Sequence, residues 1–348
     1  MARCGMVEVR VRGVSDVAAL AERWRDLEQR ADGSFFQSWT WVGCLAAERF
    51  PNPVLVEATD SGRTVALGLF NLVGRRLFLG ESGTTELDCP YVEQNGLLTE
   101  AGREEELTAL SLRALVKSRH VVLSGVGEAV VAALRRTGGL TAIRHSQSSP
   151  FVDLAAIRDS GGDYLAGRSA NTRQQVRRSD RLYGPIVLER AQTVDAAHTM
   201  LDEMAVLHQA TWRARGRPGS FATPFFGRFH HALIDRGFPF GQIVLEKLSS
   251  NGTTIGILYN FVWRGQMLAY QSGFAYRDGD SHAKPGLTCH HAAIRDALGQ
   301  GLDRYDFLAG EDRYKRSLAD RAHRQFWVEA GPVWSCRLLV RMLLSRIR

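Results

Sequence analysis

Hydrophobic and polar positions along the chain alternate between helical and strand periods, which predicts an α/β protein. After residue 193, apolar positions recur at three- and four-residue spacing. They predict one buried stripe on a long helix, formed by Val194, Ala197, Leu201, Met204, His208 and Thr211. The strand-like stretches 243–248 and 254–263 flank the pair Asn251-Gly252, which is a strong signal for a β-hairpin.

The order helix, hairpin, strand, loop, helix, strand occurs twice, weakly between residues 16 and 123 and more clearly after residue 171. This repetition indicates a duplicated fold. The stretch 146–150 is polar and turn-like, so it marks the region of a domain boundary. We therefore expect a first domain over 1–155, a second domain over 156–335, and a C-terminal basic helix over 336–348.

Composition is that of an ordinary globular chain, with 45% hydrophobic and 23% charged residues in 348. No run approaches the roughly 18 apolar residues that span a bilayer, and the N-terminus lacks a secretory signal pattern. The five cysteines are scattered without C-x-x-C spacing, so we expect reduced thiols and a cytoplasmic location. The pairs His230-His231 and His290-His291 lack ligand spacing, so we expect no metal site.

Charge is moderately basic, because 44 Lys and Arg outnumber 37 Asp and Glu and give a formal net charge of +7. Such an excess fits a phosphate-bearing ligand, nucleic acid or an anionic membrane surface, and it fits solubility equally well. Arg173, Arg177 and Arg181 recur every four residues on one predicted helix face. That face suits phosphates or RNA, and it also suits plain exposure to solvent.

A candidate anion site comprises Lys284, Pro285, Gly286 and Leu287, between a predicted strand and a predicted helix. Proline fits a first helical turn, and glycine permits close approach of a ligand to the backbone. The free amides of such a turn, with the charge of Lys284, suit the phosphates of a nucleotide-like donor. The alternative is a simple helix start without a ligand.

A second candidate segment begins with the predicted strand 304–308, which carries Asp306. A glycine turn follows, and then a polar cluster that supplies the candidate catalytic residues Glu311, Tyr314 and Lys315. Catalytic and ligand-binding side chains of α/β enzymes lie at the carboxyl ends of strands, and a lysine there can stabilise an oxyanion. The alternative is a surface network of ion pairs.

His208 is a third candidate, because it lies on its helix stripe shortly before the basic glycine loop 215–219. A histidine in that position can act as a general base. It can equally be a hydrogen-bonded residue of the core.

Together these segments resemble a known group. The residues that carry the resemblance are Leu207-His208, Trp212, Gly216-Arg217-Pro218-Gly219, Tyr270-Gln271-Ser272-Gly273-Phe274, Pro285-Gly286, Tyr305-Asp306-Phe307-Leu308, Gly310 and Tyr314-Lys315. It resembles the GNAT-type acetyltransferases of the CelD-like, cellulose-biosynthesis-associated family, which are related to the FemAB peptidoglycan bridge-forming transferases. The resemblance covers about residues 168–327 and matches the first half only in layout.

The resemblance implies mixed α/β sheets in two tandem GNAT-like domains, with a full donor site only in the second. It places the coenzyme A pyrophosphate at residues 284–287, although the usual glycine-rich signature there is incomplete. It makes Trp212, Arg217, Tyr270 and Gln271 candidate substrate-binding residues. Tyr314-Lys315 matches the aromatic-lysine pair of the FemAB-like enzymes.

Three functions follow as hypotheses. The first is transfer of an acyl group from acetyl-CoA or another acyl-CoA to an amine or hydroxyl of a saccharide or small metabolite, in envelope or exopolysaccharide synthesis. The second is amide formation from aminoacyl-tRNA. The third is a GNAT-like module that binds a saccharide or partner without catalysis. Peripheral contact with a membrane is compatible with the basic C-terminal helix.

Overall fold

The computed structural model describes residues 7–88, 91–276, 282–310 and 312–345. The chain forms two compact units, Ser148–His323 and a first unit made of Met1–Gln147 with Arg324–Arg348. The helices and strands in chain order are β1 (Glu8–Gly13), α1 (Ala21–Glu28), α2 (Trp39–Arg49), β2 (Pro53–Asp60), β3 (Arg63–Val73), β4 (Arg76–Leu79), β5 (Leu98–Thr99), α3 (Glu104–Val116), β6 (His120–Val126), α4 (Glu128–Arg135), β7 (Leu140–Asp153), α5 (Leu154–Asp159), α6 (Ala170–Tyr183), β8 (Val187–Arg190), α7 (Val194–Ala214), α8 (Pro224–Gly237), β9 (Ile243–Ser250), β10 (Thr253–Trp263), β11 (Gln266–Phe274), α9 (Pro285–Gly299), β12 (Arg304–Asp306), α10 (Arg313–Leu318), β13 (Arg321–Gly331) and α11 (Cys336–Ser345).

The first unit is a mixed sheet in the order β1-β2-β3-β4-β6-β13, continued by the first residues of β7. Pairing is antiparallel from β1 to β4, and β4 pairs with β6 in parallel. Its core includes Phe70 and Leu123 from the sheet and Leu112 from α3, all fully buried. Helix α3 contributes one apolar face at the helical period, whereas β3 and β6 are buried along almost their whole length, which is typical of strands covered on both faces.

The second unit is a mixed sheet in the order β8-β9-β10-β11-β12, followed by the last residues of β7. Here β11 pairs with β12 in parallel. The core contains Leu258 and Tyr305 from strands and Ile294 and Ala297 from α9. Helix α7 packs closely on β11, since an added Cβ at Gly273 would lie 2.4 Å from the Met204 carbonyl oxygen.

The two units repeat one order of elements. In the first unit it is β1-α1-α2-β2-β3-β4-α3-β6, and in the second it is β8-α7-α8-β9-β10-β11-α9-β12. In both, the last strand pairs in parallel with the third strand of the preceding meander. The short β5 is the one strand of the first unit that interrupts the correspondence. The expected duplication is therefore visible in connectivity as well as in sequence pattern.

Strands β1 and β13 were not predicted from the sequence, because charged side chains interrupt their apolar alternation. β13 forms because its residues 326–330 pair with β6 of the first unit. This pairing places residues 324–335 with the first unit, whereas the sequence suggested a second domain over 156–335. The compact units also divide at 147/148 rather than at 155/156.

No helix among the described residues combines the length and hydropathy needed to cross a membrane. The expected basic helix over 336–348 corresponds to α11, whose described part ends at Ser345.

Candidate functional site

Helix α9 begins at the predicted turn. Pro285 occupies its first turn and has no N–H to leave unsatisfied. The N–H of Lys284 donates to Ser179 Oγ at 2.9 Å, and Ser179 Oγ also contacts Thr288 Oγ1 at 2.8 Å. The ammonium of Lys284 donates to Gln175 Oε1 at 2.7 Å. Helix α6 thus fixes the start of α9 through Gln175 and Ser179.

Two amides at this helix start have no acceptor in the described part of the chain, those of Gly286 and Leu287. The ring of Phe274 covers one side of Gly286, where an added Cβ would meet it at 3.4 Å. The first turn of α9 carries no acidic residue. The turn is therefore partly capped, and it keeps two donors at the positive end of the helix dipole.

The corresponding helix of the first unit has the opposite charge. The first turn of α3 contains Glu104, Glu105 and Glu106, and Glu104 Oε1 accepts from the N–H of Gly102 at 2.8 Å. Carboxylates already occupy the positive end of that helix and repel an anionic ligand. Of the two helix starts that the duplication makes equivalent, α9 is the one that suits phosphate.

Asp306 ends β12 and is fully buried. Its Oδ1 accepts from Ser149 Oγ at 3.2 Å and from the Leu308 N–H at 2.8 Å, and its Oδ2 lies 3.8 Å from His323 Nδ1. Burial raises the pKa of Asp306 to about 6, and the hydrogen bond from Leu308 opposes that rise. The predicted strand 304–308 stops at Asp306, because Leu308 has a φ of 60° that ends regular pairing.

Tyr314 and Lys315 lie on α10, directly after this turn. The Lys315 ammonium donates to the Ala309 carbonyl at 2.9 Å. The ring of Tyr314 stacks on His290, with centroids 5.4 Å apart. Burial raises the pKa of Tyr314 and lowers the pKa of His290 to about 3, so the described surroundings keep both side chains neutral at pH 7. Glu311 lies outside the described residues.

His208 is buried on α7, and main-chain groups engage both of its ring nitrogens. Nδ1 lies 3.1 Å from the Ser272 carbonyl, and Nε2 accepts from the Ser220 N–H at 3.3 Å. Those partners assign the proton to Nδ1. Burial lowers the pKa of His208. This geometry favours the core alternative, in which His208 positions the loop after α7, and its role as a base stays a prediction.

The four predicted substrate-binding residues fall into two groups. Trp212 lies in the last turn of α7, and the Arg217 guanidinium lies 5.9 Å from its ring centroid. Tyr270 packs in an aromatic cluster with Phe261, at 4.6 Å between centroids, while Gln271 pairs with Tyr259 in the β10–β11 ladder. His208 joins the Trp212 group, at 5.8 Å between rings.

Sequence reasoning missed three residues of this region. Gln175 and Ser179 share one face of α6, four residues apart, and hold the start of α9. Their spacing was a usable signal, although the neighbouring arginines are more conspicuous. His290 was set aside as half of an adjacent histidine pair, yet its Nδ1 bonds Tyr305 Oη at 2.8 Å and its ring supports Tyr314.

Comparison with known proteins bears on the fold of the second unit. Residues 166–316 match the family model described as an acetyltransferase (GNAT) domain. No curated protein matches the chain. Among solved structures, FemX is similar with a TM-score of 0.63 at 9% identity, covering 95% of this chain and 99% of that one.

Two further solved structures are similar over nearly their whole length. A conserved protein of unknown function from Bacteroides thetaiotaomicron has a TM-score of 0.60 at 10% identity, with 92% of this chain and 100% of that one covered. L-PGS from Bacillus licheniformis has a TM-score of 0.55 at 12% identity, with 93% and 96% covered. At these identities the likeness establishes the fold alone.

The predicted mixed α/β fold class is confirmed, with a GNAT-type domain in the second half and a first half that repeats its order of elements. Residues 166–316 form a GNAT-fold domain of the acyltransferase type. The comparisons do not single out the CelD-like family, which stays a prediction.

Proposed function

We propose that this protein is an acyltransferase that moves an acyl group from acetyl-CoA, or another acyl-CoA, to an amine or hydroxyl. The acceptor we propose is a saccharide or small metabolite, used in envelope or exopolysaccharide synthesis in the cytoplasm. One observation carries the donor assignment. The start of α9 offers two amides without an acceptor among the described residues, those of Gly286 and Leu287, and the residue before the helix, Lys284, adds a positive charge. Such a helix start binds the phosphates of coenzyme A without further ligands.

The chemistry is direct transfer. The acceptor amine or hydroxyl attacks the thioester carbonyl, a base takes its proton, and the carbon–sulfur bond breaks as the coenzyme A sulfur takes up a proton. Asp306 suits the base, because a pKa of about 6 matches operation near neutral pH. Glu311 is a second candidate for that role. In this proposal Lys315 stabilises the oxyanion, and Tyr314 or Tyr270 protonates the leaving sulfur.

Charge reversal at Lys284 tests the donor site, and the helix-dipole effect of the new carboxylate offsets the lost bond from the Lys284 ammonium to Gln175. Lys284→Glu puts a carboxylate at the N-terminus of α9, which stabilises a helix by about 0.3–1 kcal/mol. The same carboxylate repels coenzyme A phosphates. We expect calorimetric affinity for acetyl-CoA to fall by about 10-fold or more, while the free energy of unfolding holds or rises.

The matched control is Arg178→Glu, the same reversal at an exposed position of α6. It should leave acetyl-CoA affinity within about twofold, because an exposed charge is largely screened at physiological salt. Native protein that fails to bind acetyl-CoA, or Lys284→Glu that binds it as tightly as native protein, contradicts the donor assignment.

Specific observations favour two further candidates. Tyr314-Lys315 and the exposed arginine face of α6 suit the aminoacyl-tRNA alternative, which predicts affinity falling steeply with salt. The internal hydrogen bonds of Asp306 and His208 suit a module that binds without catalysis. Titrations of acetyl-CoA and tRNA at two salt concentrations, with a turnover assay, separate all three.

A further inference from the structure

The second unit contains a surface cleft of about 700 Å³ between α6 and α9. Its walls include Arg173, Arg177 and Arg181 from α6, and its floor includes Asp180 and His291. The volume lies within the range of small-molecule sites, roughly 300–1,000 Å³. The donor-site residues Lys284 to Leu287 do not line it.

The three arginines of this cleft lack acidic partners in the described part of the chain, where no carboxylate lies within 4 Å of their nitrogens. The guanidinium of Arg173 donates a hydrogen bond to the main-chain carbonyl of Arg168. The guanidinium of Arg181 donates one to the main-chain carbonyl of Arg177. Like charges four residues apart destabilise a helix. Elsewhere in the unit, Arg168 and Arg190 pair with carboxylates. Three arginines that line one cleft without acidic partners therefore indicate that the cleft binds an anionic ligand.

The floor of the cleft is a fixed Asp–His pair. His291 Nδ1 lies 2.8 Å from Asp180 Oδ2, and the ring stacks on Tyr164 with centroids 5.9 Å apart. With the proton on Nδ1, the carboxylate orients the ring and leaves a lone pair on Nε2. Among the described residues, Nε2 has no hydrogen-bond partner, and the ring lines the cleft. The pair thus presents one oriented ring nitrogen to a ligand.

We propose that this cleft binds a small phosphomonoester. The arginines take the phosphate dianion through charge-assisted hydrogen bonds, and His291 Nε2 bonds a hydroxyl of the esterified group. Arginine geometry matches phosphate oxygens in paired contacts, which favours phosphate over a carboxylate of equal size. Among the described residues no Phe, Tyr or Trp lines the cleft, so it lacks the large aromatic platforms on which RNA bases usually stack. The site is independent of the proposed donor site, with which it shares no residue.

Calorimetric titration with glucose 6-phosphate tests the proposal, with inorganic phosphate and a 20-nucleotide RNA as comparison probes. Native protein should bind one glucose 6-phosphate per chain. The double variant Arg177→Gln/Arg181→Gln should bind it at least about 30-fold more weakly, because each lost charge-assisted bond costs about 10-fold. Arg178→Gln is the matched control, since Arg178 is exposed on the same helix but does not line the cleft. It should change affinity less than twofold.

His291→Asn distinguishes the contribution of His291 to binding from that of the three arginines. Asparagine can keep a donor toward Asp180 and removes Nε2, so glucose 6-phosphate should bind about 10-fold more weakly while inorganic phosphate binds nearly as before. Circular dichroism of each variant verifies folding.

Acetyl-CoA distinguishes this site from the donor site. The double arginine variant should keep its acetyl-CoA affinity, and Lys284→Glu should keep its affinity for glucose 6-phosphate. The proposal is overturned if native protein binds no glucose 6-phosphate at millimolar concentration, or if Arg178→Gln weakens binding as much as the double variant. It is also overturned if RNA alone binds, or if the double variant loses acetyl-CoA, which would assign the cleft to the donor.

Discussion

The carboxylate of Asp306 accepts a hydrogen bond from the backbone N–H of Leu308, two residues further along the chain, at 2.8 Å. Leu308 is buried and holds a φ of 60°, a conformation that costs a leucine about 1–3 kcal/mol. The Pro150 carbonyl accepts from the Phe307 N–H, and Ser149 donates to the same Asp306 oxygen. A bond network between β7 and the end of β12 thus maintains a strained turn beside α10, where the proposed oxyanion donor lies.

Asp306→Asn should change how stability depends on pH. Burial raises the pKa of Asp306 from 3.8 to about 6, so between those values the folded state binds more protons than the unfolded state. Stability from this group therefore falls as pH rises through that window. A pKa that is higher in the folded state by this amount corresponds to a decrease of about 3 kcal/mol in the free energy of unfolding. The decrease is complete once the pH is well above 6, where Asp306 is deprotonated in both states. Asparagine keeps the acceptor for Leu308 and does not titrate.

We therefore expect Asp306→Asn to match native stability near pH 4 and to exceed it by up to about 3 kcal/mol at pH 7.5. Urea unfolding from pH 4 to 7.5 measures the difference between the two proteins. His323, whose pKa of about 4 acts in the opposite direction, lies 3.8 Å from Asp306 Oδ2, so the same comparison is repeated in a His323→Gln background. A constant difference across this range would show that Asp306 does not titrate as its burial predicts.

Ser179→Ala should destabilise the fold without abolishing the donor site. The buried hydroxyl accepts from the Lys284 N–H at the start of α9, and loss of such a cap costs about 1 kcal/mol. The variant leaves the amides of Gly286 and Leu287 unchanged, so acetyl-CoA affinity should hold within about threefold. Chemical unfolding and calorimetry measure the two effects. Ser160→Ala, at an exposed serine that bonds Ile157, is the control. Equal stability of the two variants would argue against the cap.

Gly273→Ala and Gly286→Ala form a matched pair. At Gly273 a methyl group would lie 2.4 Å from the Met204 carbonyl oxygen, so α7 must move away from β11. At Gly286 the nearest atom, on the Phe274 ring, is at an ordinary 3.4 Å. We expect the first variant to lose about 3 kcal/mol or more, and the second to change stability by less than about 1 kcal/mol. Thermal unfolding checks both, and similar losses would mean that α7 and β11 pack less tightly than described.

Lys315→Met should reduce turnover about 100-fold or more if the ammonium stabilises the oxyanion, and Lys315→Arg should restore part of it. Release of the coenzyme A thiol measures turnover. Because Lys315 also bonds the Ala309 carbonyl, unfolding of each variant must be measured alongside. Arg316→Met, at the exposed next position, controls for loss of charge. Full activity in Lys315→Met removes Lys315 from the mechanism.

Local pattern predicted much of the second unit. The helix predicted to carry Arg173, Arg177 and Arg181 is α6, and the hairpin expected around Asn251-Gly252 is β9 and β10. Pro285 lies in the first turn of α9, the position that suits a residue without a backbone N–H. In these segments the hydrophobic period, a turn pair or a proline decides the structure within a few residues, so the sequence suffices.

Contacts between distant residues limited prediction elsewhere. The turn at Leu308 depends on Ser149 and Pro150, and β13 depends on its pairing with β6. The cap on α9 comes from Ser179 on another helix. None of these partners is near in sequence, so no local period reports them. The candidate residues were found by type and spacing, whereas their hydrogen bonds required the folded chain.

The pairing of β13 with β6 has a consequence for synthesis on the ribosome. Ser148–His323 emerges between these two strands, at about 5–20 residues per second, so β13 follows β6 by roughly ten seconds or more. The second unit, whose residues are contiguous, can fold in that interval. Meanwhile the nascent first unit leaves the edge of β6 unpaired, and such an edge promotes association between chains. Premature termination after residue 323 therefore yields a complete second unit attached to a first unit that lacks a strand.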